Sequence, residues 1–307
     1  MQTLYTERTK NIGKSFLLVT LFLVFIIGLG WVFSAVYQSS AILVIAVVIS
    51  VVMSIASYWW SDKIVMRLAR AVPAKMENFA ELYRIVENLA ITAGLPMPRM
   101  YVVSDPAPNA FATGRNAAHA AVAVTTGLLD RLDRTELEGV LAHELSHIGN
   151  RDMLLSSMVV VLVGVVAIAS DFFLRSSFWM GAGRDREDRN GNLLMIMGIV
   201  LAILSPIIAS LIQLAISRRR EFLADTSGAL LTRYPEGLAS ALKKIAADPR
   251  PLRAASNATA HLYFENPFKA DVAAGKKTPW FVKIFMTHPP VEERIKALEG
   301  LDLGSHE

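Results

Sequence analysis

Long apolar stretches constrain this chain most, because each of them needs burial in a bilayer or in a large core. Residues 15–61 contain no charged side chain, and the polar residues 37–40 divide this run into two parts. A helix needs roughly 20 apolar residues to cross a bilayer. The run therefore predicts two membrane spans, at about 15–36 and 41–60.

Two further apolar stretches follow the middle of the chain. They predict a third span at about 153–174 and a fourth at about 193–216, where Pro206 indicates a kink. Hydrophobic residues make up 53% of the chain and charged residues 19%, which is too apolar for an ordinary soluble enzyme. We therefore expect an α-helical polytopic membrane protein with four transmembrane helices.

Basic residues beside the spans predict their orientation. The loop of the first hairpin has no charge, whereas Lys and Arg precede the first span and follow the second and fourth: Arg8, Lys10, Lys14, Lys63, Arg67, Arg70, Arg218, Arg219 and Arg220. Such residues favour the cytoplasmic side. We expect both termini and both larger polar regions there, and the same rule explains the net charge of +4 without a nucleic-acid partner.

The polar regions are expected to pack together as one cytoplasmic domain in two halves. Residues 1–60 hold the N-terminal segment and first hairpin, 61–152 the first half, 153–216 the second hairpin and 217–307 the second half. In the first half, the pattern of apolar residues predicts a helix at 73–92 and short strands at 99–105, 109–115 and 120–125. Residues 254–277, rich in small and polar side chains, predict a loop or insert.

A metal-binding pattern lies at the end of the first half. His143, Glu144 and His147 form His-Glu-x-x-His in a helical stretch opened by a capping box at Asp133 or at Thr135. Residues i and i+4 share one helix face, so both imidazoles can reach one ion, and the glutamate can activate a water on it. The alternative is two solvated histidines on a helix surface.

A catalytic zinc also needs a third protein ligand. The chain has no cysteine, so that ligand must be a His or a carboxylate. Glu221 and Asp225 are four residues apart after the fourth span, where one helix face would present both. Glu221 is the expected ligand, and Asp225 would accept a hydrogen bond from a ligand histidine. The alternative is that Glu221 only balances the adjacent arginines.

Three segments resemble sequences of the HtpX family. Its members are bacterial inner-membrane zinc metalloproteases related to the CAAX prenyl proteases. The three segments are His-Glu-Leu-Ser-His-Ile-Gly-Asn-Arg-Asp at 143–152, Arg-Arg-Glu-Phe-Leu-Ala-Asp at 219–225 and Asn-Ala-Phe-Ala-Thr-Gly at 109–114. The order of spans and motifs matches as well. The resemblance implies an α+β zincin-like metalloprotease domain with a small β-sheet.

The same resemblance implies roles for single residues and a place in the cell. It implies His143, His147 and Glu221 as ligands of one Zn²⁺, Glu144 as general base, and Asp225 as a supporting carboxylate. It also implies a location in the bacterial inner membrane and quality-control cleavage. The expected partners are the lipid bilayer and, as substrates, misfolded membrane proteins or unfolded proteins.

Two further segments have a functional and a structural interpretation. His288, before two prolines, resembles the family's late His-Pro element, which would stabilise an oxyanion; the alternative is a loop histidine. Nearby Arg294 would support it or be solvated. Asn109, Ala110, Phe111 and Ala112 would form an edge strand that pairs with substrate backbone; the alternative is an internal strand.

Other functions stay open at this point. The four predicted spans of this chain argue against a CAAX-type prenyl-protein protease. Glu144 argues against a membrane scaffold or chaperone with a structural zinc, since such a site does not need it. A transporter has little support, because the spans offer no clear ion pathway.

The His-Glu-x-x-His motif is surrounded by charged residues, so we expect it to lie outside the hydrocarbon core of the membrane. If its helix continues into the third span, the metal would lie roughly 9 Å from that span.

Overall fold

The computed structural model describes residues 4–150, 152–162, 164–165, 218–255, 259, 262–264 and 289–301. Part of the third predicted span (163 and 166–174), all of the fourth span, most of the 254–277 region and His288 lie outside these residues.

Two long helices form the N-terminal hairpin, as the first apolar run predicts. Helix α1 covers Leu4–Tyr37 and α2 covers Ser40–Trp59, and they pack along each other. Gly30 allows their close approach, because a Cβ there would overlap the Cβ of Ala46. By length and composition both helices could cross a membrane.

A four-stranded sheet follows the short helix α3 (Ser61–Leu68). Its strands are β1 (Val72–Pro73), β2 (Arg99–Val103), β3 (Ala110–Thr113) and β4 (Ala121–Thr125), in the spatial order β1-β2-β4-β3. Strands β2 and β4 are parallel, and the other two pairs are antiparallel. The three predicted strands are therefore present, and β3 is the terminal strand of the described sheet.

The helix predicted at 73–92 begins later in the structure. Helix α4 covers Ala80–Ala93, and Gly94 ends it with a φ of 64° in the left-handed region. The prediction that Pro73 lies in its first turn is wrong, since Pro73 pairs with Tyr101 in β1. Because proline has no backbone N–H group, it suits an edge strand as well as the first turn of a helix.

Helix α5 (Thr126–Arg131) leads to the motif helix α6 (Arg134–Asn150). Of the two predicted capping boxes, the one at Asp133 forms: its N–H donates to Glu136 and its carboxylate accepts from the Glu136 N–H, at 2.9 and 3.0 Å. The condition for the estimate of roughly 9 Å, a motif helix that continues into the third span, is not met. Helix α6 ends at Asn150, Asp152 is non-helical, and helix α7 (Met153–Leu162) starts anew.

The second half adds helices α8 (Arg218–Thr232), α9 (Pro235–Ala246) and α10 (Val291–Glu299). Helix α6 lies between α4, α8 and α9, and its apolar side chains join those of the sheet in one core. Glu136 is buried and accepts hydrogen bonds from Lys244 and Ser240 of α9, both at 2.6 Å. The two halves of the chain therefore pack together around α6.

Candidate metal centre

Close contact between α6 and α8 builds the centre. Gly228 of α8 makes this contact possible, because a Cβ there would lie 2.9 Å from the backbone nitrogen of His143. Glu221 and Asp225 are seven and three residues before Gly228 and share its helix face. The packing of the two helices therefore brings both carboxylates to the His-Glu-x-x-His face, as their spacing predicts.

The three expected ligands converge. Nε2 of His143 lies 3.1 Å from Nε2 of His147, and the two Glu221 oxygens lie 3.8 Å from His143 Nε2 and His147 Nε2, respectively. A tetrahedral ion with ligands at 2.0–2.1 Å has ligand atoms about 3.3 Å apart. His143, His147 and Glu221 could therefore hold a metal ion after adjustments of a few tenths of an ångström.

A carboxylate stands behind each imidazole. Asp225 Oδ1 lies 2.9 Å from His143 Nδ1. The Asp152 oxygens lie 3.0 and 3.2 Å from His147 Nδ1. A carboxylate at Nδ1 favours the tautomer that carries its proton there, so each Nε2 lone pair faces the shared position. The role expected for Asp225 matches this contact, whereas that of Asp152 was not predicted.

Arg294 was also not predicted to contact this centre. Its Nε and Nη2 donate to the two Asp225 oxygens at 2.8 and 2.7 Å, and its Nη1 donates to the Phe264 carbonyl at 3.2 Å. Its side chain is fully buried, so the interpretation as a solvated residue is wrong. The bidentate ion pair fixes Asp225 and thereby His143.

Electrostatics of the centre favour a bound cation. Burial would raise the pKa of Asp225, but the Arg294 guanidinium and His143 outweigh it and lower that pKa to about 2. Burial lowers the pKa of His143 and keeps it neutral, the form that ligates metals. Burial would also lower the pKa of His147, but the charges of Asp152, Glu221 and Glu144 raise it to about 10. These carboxylates therefore stabilise positive charge at His147, which a bound metal ion would supply in place of the proton on Nε2.

The donor set fits zinc. Two imidazole nitrogens and one carboxylate, each held by its neighbours, match the ligands of catalytic zinc sites, which leave a fourth position open. The His143 side chain is fully buried, whereas 18% of the His147 side chain is exposed. The accessible side of the cluster is therefore the side of His147. Glu144 is buried beside these ligands, with 2% of its surface exposed.

The predicted substrate-binding strand lies near the centre. Phe264 connects them: its N–H donates to the Ala110 carbonyl at 2.9 Å, and its ring packs edge-on against His143 at 5.0 Å. The Phe111 side chain packs against Tyr263, and the Asn109 side chain accepts from the Ala110 N–H. These two side chains are therefore buried in contacts within the protein.

A methyl group at Gly228 is expected to disrupt the metal centre. Gly228→Ala would push α8 from α6 at His143, costing about 1–3 kcal/mol of stability and weakening metal binding at least 10-fold. The control is Gly149→Ala on α6, which should be tolerated because, within the described part of the chain, a Cβ there would meet only the Leu95 side chain, at 3.9 Å. Metal titration and thermal melting of both variants test this, and unchanged metal affinity in Gly228→Ala would contradict it.

Comparison with known proteins identifies the family. The model of peptidase family M48 matches residues 76–302. A "Protease HtpX homolog" of Caldanaerobacter subterraneus is 44% identical over 306 residues, covering 98% of this chain and 99% of the relative. A protein of the same name from Tropheryma whipplei is 41% identical over 298 residues, covering 97% and 98%.

One solved structure is also similar. The crystal structure of S. mikatae Ste24p aligns with a TM-score of 0.48 and 20% identity, covering 92% of this chain and 65% of that one. The family match and the HtpX relatives confirm the resemblance drawn from the three sequence segments. With the metal-ligand cluster and the apolar helices in place, this chain belongs to peptidase family M48, as a membrane metalloprotease of the HtpX group.

Proposed function

We propose that this protein is a zinc endopeptidase of the bacterial inner membrane that cleaves cytoplasmic regions of misfolded or damaged membrane proteins. The observation that carries the proposal is the cluster of His143, His147 and Glu221 beside Glu144. One Zn²⁺ per chain is the ion that two imidazoles and one carboxylate favour. A structural zinc would have no need for the buried glutamate.

Each residue of the site would have its own role in peptide hydrolysis. When bound, zinc supplies a Lewis acid that polarises the scissile carbonyl and makes a water acidic near neutral pH. Glu144 accepts the proton of the attacking water and then donates it to the leaving amine. Asp225 and Asp152 hold the two imidazoles in their ligating tautomer, and Arg294 holds Asp225. His288 would donate to the developing oxyanion.

Strand β3 is proposed to position the substrate. The Thr125 N–H donates to the Asn109 carbonyl, so by antiparallel alternation the N–H and C=O groups of residues 110 and 112 point away from β4. The Ala110 carbonyl accepts from the Phe264 N–H. Ala112 is therefore the position where an extended substrate can add a strand without strong sequence preference.

A proline at this position is expected to impair cleavage selectively. Ala112→Pro removes the outward N–H and keeps the bonds of residues 111 and 113 to β4, so kcat/KM should fall about 10-fold or more. Ala112→Ser keeps the N–H and is the control. Peptide cleavage, bound zinc and melting temperature should be measured together. Intact cleavage by Ala112→Pro would eliminate the substrate role of this edge.

The proposal includes the side of the membrane on which the protease domain lies. Lys63, Arg67 and Arg70 follow α2 directly, which supports a cytoplasmic position for the start of the protease domain. Both termini would then be cytoplasmic, and the metal centre would face loops and tails of membrane proteins. The relatives are HtpX homologues, which favours this function over a CAAX-type protease.

Removal of the metal tests the proposed activity. The purified full chain in detergent should cleave unfolded casein, lose that activity in a zinc chelator, and recover it when zinc is added back in stoichiometric amount. Cleavage that continues after complete removal of the metal would contradict the proposal.

A further inference from the structure

A pocket lies at the end of α2 that follows the apolar span, away from the described metal ligands. Its volume is about 680 Å³, within the range of small-molecule sites. One wall is apolar and comes from Ile55, Trp59 and Trp60 of the hairpin. The other wall is basic and comes from Lys63, Arg99 and Arg115.

Arg115 is held in place on this basic wall. Its guanidinium stacks over the Trp59 ring at 4.5 Å, and its Nη2 donates to His119 Nε2 at 2.8 Å. Since Nε2 accepts, the His119 proton is on Nδ1, which donates to the Asn116 side chain at 2.8 Å. Neutral groups therefore fix the guanidinium and leave its charge uncompensated. Among the described residues no carboxylate lies within ion-pair distance of Arg115.

The pocket as a whole carries excess positive charge. Arg99 is paired with Asp62 of α3, whereas Lys63 and Arg115 have no ion-pair partner in the described part of the chain. The lining thus has three basic side chains and one acid, with His119 neutral. A preorganised Arg beside an exposed Lys is a suitable site for a phosphate group.

The apolar wall continues into the predicted membrane span. Val48, Val51 and Ile55 lie four or three residues apart on α2 and are 54%, 44% and 49% exposed, so they form one exposed stripe that leads to the pocket. Trp59 and Trp60 are each about half exposed where this stripe ends. Tryptophans at such a position are typical of the membrane interface.

We propose that this pocket binds the headgroup of an anionic phospholipid. The phosphate contacts Arg115 and Lys63, the glycerol region packs on Trp59 and Trp60, and one acyl chain follows the stripe of α2. The basic wall and the apolar wall together favour a ligand that is anionic at one end and apolar at the other. The site goes beyond the proposed proteolysis and would fix the protease domain relative to the membrane surface.

Direct lipid binding tests the proposal independently of proteolysis. Labelled phosphatidylglycerol is titrated into the full chain in mild nonionic detergent, for wild type, Lys63→Gln/Arg115→Gln, and the control Lys75→Gln/Arg84→Gln. The control removes the same charge at exposed residues outside the pocket. Wild type and control should bind alike, and the pocket variant roughly 10- to 30-fold more weakly. If that variant melts early, Lys63→Gln alone should bind about 5-fold more weakly.

Competing ligands distinguish the sources of the phosphate. Phosphatidylcholine with the same acyl chains should compete about 10-fold less well, because its headgroup has no net charge. Glycerol phosphate, which lacks acyl chains, should compete only at far higher concentration. Equal binding of both lipids would mean an ordinary annular contact, and full competition by glycerol phosphate would mean a free-anion site. Either result, or equal affinity of the pocket and control variants, would overturn the proposal.

Discussion

Glu144→Gln should lower casein cleavage by 10²- to 10⁴-fold while bound zinc stays at one per chain. The amide has nearly the shape of the carboxylate but cannot accept the proton of the attacking water. The residue is buried beside the ligands and is not one of the three that converge, so the metal should remain. Initial cleavage rates and metal analysis of the same preparation measure both effects.

The matched control is Glu138→Gln, which makes the same change on α6 six residues away from Glu144 and should keep full activity. A Glu144→Gln variant that cleaves casein at the wild-type rate would eliminate this residue as the general base. Loss of zinc from that variant would instead indicate that Glu144 takes part in holding the ion.

Glu221→Ala should lose both metal and activity. The substitution removes the one carboxylate whose two oxygens lie 3.8 Å from the facing imidazole nitrogens. With two imidazoles left, zinc affinity should fall by more than about 100-fold, beyond the effect of losing a supporting residue. Competition with a zinc-binding dye measures the change.

The control for Glu221→Ala is Glu236→Ala, which removes an exposed acid from the neighbouring helix α9 and should retain the metal. Stoichiometric zinc in purified Glu221→Ala at unchanged affinity would show that another residue is the third ligand. The thermal melting curve of each variant separates loss of the ligand from loss of the fold.

The sequence predicts which residues converge at the candidate metal centre, because each pair lies within one helix. His143 and His147, and likewise Glu221 and Asp225, are four residues apart, so helical geometry alone places them on one face. The strands are predicted for a similar local reason, since short apolar runs lie between glycines and prolines. The capping box at Asp133 likewise depends on residues three apart.

Contacts between distant parts of the chain could not be predicted in this way. Arg294 and Asp225 are 69 residues apart, and no local pattern distinguishes a buried arginine from a solvated one. Asp152 looked like one of the charges around the motif. Only the end of α6 at Asn150 turns its carboxylate back towards His147. Pro73 was misassigned because its fixed φ suits both a helix start and an edge strand.

Zinc-edge X-ray absorption of the purified wild-type protein tests most directly whether His143, His147 and Glu221 hold one catalytic zinc. We expect one zinc per chain in a four-coordinate shell, with two imidazole nitrogens at about 2.0–2.1 Å, carboxylate and water oxygens at about 2.0–2.2 Å and no sulfur. An absence of zinc, or a six-coordinate shell of oxygens without imidazole scattering, would contradict the assignment of this metal centre.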